Sequence, residues 1–143
     1  MKEKLLEAFS ELGFIPEEME IGYNFTYEGI NMMLMYNDED EDFLCIAVPG
    51  IVEVEESNAV QICALMEQVN STLKFIKAYV AGDSVWLFYE REITGNDDLQ
   101  QLITRMVLRL EGALTFSRKA LAELTADDGA ETEAEETTDG NDE

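Results

Sequence analysis

The sequence predicts an α+β domain on an antiparallel sheet of about five strands, with elements in the order α-β-β-β-α-β-β-α. Apolar residues alternate with period two in several short segments, and short turn-forming stretches join most of these like hairpins. Three other segments repeat apolar residues at helical spacing. The first of these, residues 2–12, places Leu5, Leu6, Phe9 and Leu12 along one helical face, and Gly13 and Pro16 end it. Ile21, Tyr23, Phe25 and Tyr27 then alternate with Gly22, Asn24, Thr26 and Glu28, as in a half-buried strand. Gly29 supplies a tight turn into residues 30–36, where Ile30, Met32, Leu34 and Tyr36 share one side and Met33 and Met35 the other.

Asn37–Asp42 is an acidic connection of hairpin length, and Phe43–Val48 resumes the β pattern until Pro49 and Gly50, which are expected to break it. Ser57 or Asn58 can cap a helix carrying Ile62, Leu65, Met66 and Val69 and ending near Asn70 or Ser71. Lys74–Ala81 and Ser84–Glu92 read as two strands around the turn residues Gly82 and Asp83. Gly95, Asn96 and Asp97 introduce a long helix with Leu99, Leu102, Ile103, Met106, Leu110, Ala113 and Leu114 on its inner stripe. Asp97 and Asp98 complement the positive end of that helix. Residues 1–124 are thus expected to form a single domain. Residues 125–143 hold nine acids, no base and no apolar side chain larger than alanine, so they are expected to be an acidic, unstructured tail.

With this order of elements the chain resembles the YbjN-type proteins, candidate sensory-transduction regulators of bacteria, whose fold is similar to that of type III secretion chaperones. The local likeness lies in Ala64–Glu90. There Val69 and Asn70 close a helix, Leu73, Lys74 and Phe75 open a strand, and Gly82, Asp83, Val85, Leu87 and Tyr89 follow. The resemblance covers residues 1–124 and implies a cytoplasmic, acidic, often dimeric module. It also implies that the secretion chaperones sharing the fold bind an unfolded stretch of a client. YbjN-type members lack a settled activity, and a fold alone transfers none.

Nine bases against 32 acids leave the 143 residues with a net charge of −23. Such a charge opposes attraction to phosphate backbones and anionic membranes, so neither nucleic acid nor membrane is an expected partner. Leu5–Leu73 holds fifteen acids and no base, whereas Lys74–Lys119 holds seven bases and six acids. The two halves are therefore expected to present different potentials. The N-terminal stretch has charges every few positions and no signal-like apolar run, and two cysteines do not make a disulfide framework. A cytoplasmic setting is the expectation.

The chain has no histidine, which takes away the usual general base and imidazole metal ligand. The acidic run Asp38, Glu39, Asp40, Glu41 and Asp42 invites a calcium reading. The EF-hand pattern fails, however, because Phe43 falls where glycine is required and Pro49 where the bidentate glutamate belongs. Glu17 and Glu18, or Glu53, Glu55 and Glu56, are neighbours by composition, with no nucleophile elbow or phosphate loop beside them. No enzyme activity, metal or cofactor is expected. Cys63 reads as a buried structural thiol.

The parity of the strands is more informative. One face is expected to gather Ile21, Tyr23, Phe25, Ile30, Met32, Leu34, Leu44, Ile46, Val48, Ile76, Val80, Val85 and Leu87 against the helices. The opposite face would then carry Met33, Met35, Phe43, Cys45, Phe75, Tyr79, Trp86 and Phe88. Leaving so many large side chains wet invites association, so something is expected to cover them: a helix of the same chain, a second copy, or a protein client. Met33, Met35, Phe43, Phe75, Tyr79, Trp86 and Phe88 are accordingly the candidate protein-binding residues. The expected function is a non-catalytic, chaperone-like or regulatory protein-binding module that self-associates. An acidic inhibitor or DNA mimic that captures basic proteins is the alternative.

Overall fold

A sheet with both faces apolar needs a decision about which face its helices cover, and here all three helices take the same one. The computed structural model describes residues 1–126 in full and the helical backbone beyond them to Asn141. In order, the elements are α1 (Lys2–Glu11), β1 (Glu17–Met19), β2 (Gly22–Tyr27), β3 (Ile30–Met35), β4 (Phe43–Glu53), α2 (Ala59–Thr72), β5 (Ile76–Ala81), β6 (Ser84–Glu92) and α3 (Leu99–Asn141). The backbone of α3 enters the acidic tail expected over residues 125–143. From residue 127 the side chains of that segment lie outside the described residues.

The six strands are wholly antiparallel in the order β1-β2-β3-β4-β6-β5. The sheet therefore has one strand more than the sequence predicts. That strand, β1, has three exposed residues and no alternation to betray it, and it pairs Met19 with Gly22. Its presence puts Ile21 in the turn, where the side chain is exposed, instead of in the core. The β4–α2–β5 connection carries the chain past a vacant position, which β6 then fills between β4 and β5.

The core confirms most of the predicted parity. Phe25, Met32, Leu34, Leu44, Ile46, Val48, Ile76, Val85 and Leu87 are buried against the helices. Val80 is not, because it lies on the outer strand of the sheet and stays exposed. α1 is fastened by aromatic rings: Phe9 meets Phe25 edge-on at 4.9 Å between centroids, and Phe14 sits 5.1 Å from Phe25. α3 is the central helix, touching α1, α2 and strands β4, β5 and β6. Its buried stripe runs through Leu102, Ile103, Met106, Leu110, Ala113 and Leu114, and Asp98 Oδ1 accepts from the Gln101 amide at its start.

Local chemistry sets the turns. The β2–β3 hairpin closes on Tyr27 and Ile30, and both intervening residues, Glu28 and Gly29, have positive φ (49° and 78°). This is the type I′ pattern, whose twist suits a hairpin but which is unfavourable for a glutamate. β4 does not stop at Pro49 and Gly50 as predicted. The ladder to β6 jumps from Val48↔Leu87 to Val52↔Val85, so both residues fall in a bulge where proline's missing donor is tolerated and Gly50 takes a φ of 55°.

The outer edge of β5 carries a polar clasp. Asn70, near the end of α2, donates from Nδ2 to the Ala78 carbonyl at 3.0 Å and accepts at Oδ1 from the Ala78 amide at 2.8 Å. A side-chain amide thus replaces the backbone of a further strand, satisfying an edge that would otherwise invite pairing. No helix among the described residues is long and apolar enough to cross a membrane.

Two stability changes are expected. Asn70→Ala removes both bonds of the clasp and should lower unfolding free energy by about 1–3 kcal/mol, read as a lower urea midpoint. Glu28→Asn, which supplies the residue type that tolerates the left-handed conformation, should raise stability by about 1 kcal/mol in the same titration.

Candidate functional site

The strand alternation that buries one set of residues turns the other set away from the helices. Across this far face, Met33 pairs with Ala47, Met35 with Cys45, Ala47 with Phe88 and Trp86 with Tyr79. Cys45, Ala47 and Phe88 form a separate apolar cluster whose packed neighbours are Met35, Ala81 and Trp86, all residues of strands. Among the described residues, no helix side chain contributes to it.

The face reduces its own exposure by stacking its rings on one another. Tyr79 stacks on Phe88 at 4.2 Å between centroids, with 8° between the ring planes, and Trp86 lies 6.0 Å from Phe88 at 17°. Phe88 is consequently only 3% exposed and Met33 7%. Met35 and Trp86 are half-buried, whereas Tyr79 and Phe43 are 40% and 39% exposed. Six of the seven candidate residues, Met33, Met35, Phe43, Tyr79, Trp86 and Phe88, therefore belong to one side of the sheet.

Phe75 does not. Its backbone has φ 69°, and β5 begins only at the next residue, so the alternation counted from Lys74 slips before the strand starts. Its ring stacks on Tyr89, a core-side residue, at 5.8 Å and lies under the Arg109 guanidinium of α3 at 4.5 Å. Phe75 is 59% exposed, but on the helical side of the molecule. An isolated non-glycine residue in the left-handed region leaves no mark in a hydrophobic pattern.

The far face changes character along its strands. Past Cys45 and Phe88, the same parity brings Glu90 opposite Cys45 and Glu92 opposite Phe43. Asp40 and Asp42 of the acidic loop join Phe43, Glu90, Arg91 and Glu92 around an open groove of about 400 Å³. The nearby bases are engaged: Lys77 Nζ bonds Glu90 at 3.2 Å and Arg91 bonds Asp97 at 2.8 Å. The loop itself is ordered by Asn37, whose Oδ1 accepts from the Glu39 amide, and by the Tyr36 hydroxyl donating to the Glu41 carbonyl. Burial, then the charges of Glu41, Asp38, Asp42 and Asp40, raise the Tyr36 pKa above its ordinary value. Among the described residues no three acidic or thiol side chains are gathered to hold a metal ion.

The cysteines are unpaired and lie in different settings. Cys63 is exposed on α2, not buried as its apolar segment suggests, because Ile62, Leu65 and Val69 take the inner stripe of that helix. Cys45 is the buried one, beneath the far face, and burial pushes its thiol up to about 12, with the Glu90 charge adding to the effect. At pH 8 Cys45 therefore stays protonated. A maleimide should modify Cys63 alone in the folded chain and reach Cys45 only in denaturant, as mass spectrometry of the labelled peptides will show.

No protein-family model matches the chain, and no curated protein matches it in sequence. Solved structures do match it in shape. YbjN from E. coli, described as a proposed transcription regulator, superposes with a TM-score of 0.60 over 90% of this chain and 93% of its own, at 13% identity. An uncharacterized protein from Methanothermobacter thermautotrophicus superposes with a TM-score of 0.59 over 85% and 96%, at 15% identity. These likenesses show that the chain has a YbjN-type α+β fold.

Proposed function

We propose that this chain is a non-catalytic, regulatory protein-binding module that works in the cytoplasm through the far face of its sheet. The observation that carries this reading is the stacked Tyr79, Phe88 and Trp86 beside Met35, Cys45 and Ala47, an apolar surface packed only by strand residues among those described. An apolar patch with a polar border is the usual mark of a protein contact. Methionines and flat aromatic rings suit it, since the thioether repacks readily and a ring presents large area at small entropic cost. YbjN, one of the structural neighbours, is described as a proposed transcription regulator, which agrees with a regulatory role.

Trp86 is the one tryptophan of the chain, so its emission reports on this face directly. A panel of short tryptophan-free peptides with alternating apolar side chains should include binders that shift the Trp86 emission to the blue. Tyr79→Lys should weaken them at least about tenfold, since aromatic anchors dominate such contacts. Light scattering measures self-association alongside. A strictly monomeric chain whose Trp86 emission is unmoved by every peptide overturns the reading.

A further inference from the structure

The far face has two unlike ends. At one end Trp86 and Tyr79 offer apolar rings. At the other Glu90 and Glu92 project with the same parity, beside Phe43 and the loop acids Asp40 and Asp42. The only base on the described part of this face, Lys77, is paired with Glu90, and Arg91 is paired with Asp97. Glu92, Asp40 and Asp42 have no basic side chain within ion-pair distance among the described residues.

Resting on the reading that this face binds protein, we infer that its occupant is a segment of another protein with apolar side chains and a basic end, and not a second copy of this chain. The apolar part of the segment lies over Met35, Tyr79 and Trp86, the accessible side chains that cover Ala47 and Phe88. Its lysines or arginines enter the groove at Phe43 and meet Glu92, Asp40 and Asp42.

A second copy lacks that complementarity. Packed face to face in one direction, it brings carboxylates against carboxylates. Packed in the other, it presses Glu92, which has no basic partner, onto the Trp86 and Tyr79 rings, and burying an unpaired charge is costly. A net charge of −23 on each copy adds long-range repulsion, whereas the same charge draws a basic segment in.

The test uses the full chain and three synthetic peptides that share one alternating leucine and threonine core and end in lysines, glutamates or serines. The lysine-ended peptide should shift Trp86 emission at concentrations at least about fivefold below the serine-ended one at low salt, and the advantage should vanish in high salt. The double variant Glu92→Gln, Asp42→Asn should weaken the lysine-ended peptide about fivefold and leave the serine-ended peptide unchanged. The unchanged serine-ended arm shows that the face is still folded. Equal binding of all three peptides, or a dimer that already buries Trp86 without peptide, overturns this inference while leaving the face in use. Binding of none of them by a monomeric chain overturns the proposed function as well.

Discussion

The constraint on which the rest of this molecule depends is the period of two in a β-strand, applied to strands that are apolar at both parities. In β3, β4 and β6 every second residue must enter the helical core, and the residues between them are committed to the other side of the sheet. Since α1, α2 and α3 share one layer, the second set is left to cover itself. The rings of Tyr79 and Trp86 beside Phe88 are how it does so, lowering exposure without a second layer.

Much of this was legible in the letters. The parity of Met33, Met35, Cys45, Trp86 and Phe88 follows from counting, because regular strands preserve a two-residue beat. The helical stripe from Leu102 to Leu114 is similarly plain. What escaped was governed by single backbone conformations or by contacts between distant residues. Phe75 slipped sides through one left-handed residue, and Pro49 and Gly50 entered a bulge where a break was expected. The edge strand β1 is short and mostly acidic, and it exists because its neighbour offers a ladder. The exposure of Cys63 depended on the rotation of α2 against α3 and β5, which a helix whose apolar residues spread around it does not fix in advance.

The candidate site divides in the same way. Its aromatic end could be read from alternation alone. Its acidic end could not, since the far-face position of Glu90 and Glu92 became meaningful only when the register set Glu92 beside Phe43 and brought the loop acids Asp40 and Asp42 to the same groove. Composition marks the chain as acidic overall, and only pairing shows which carboxylates border the apolar surface.

The Asn70 clasp bears on how large an assembly this sheet can join. By closing the centre of β5's outer margin, it leaves the opposite border, formed by Glu17, Glu18 and Met19 and by the end of β2 that β1 does not cover, as the main place to add a strand. Its outermost strand is three residues long and doubly anionic, a poor template for elongation. Lateral strand addition is thus hindered at the centre of one flank and discouraged on the other, which favours complexes of finite stoichiometry over open-ended growth.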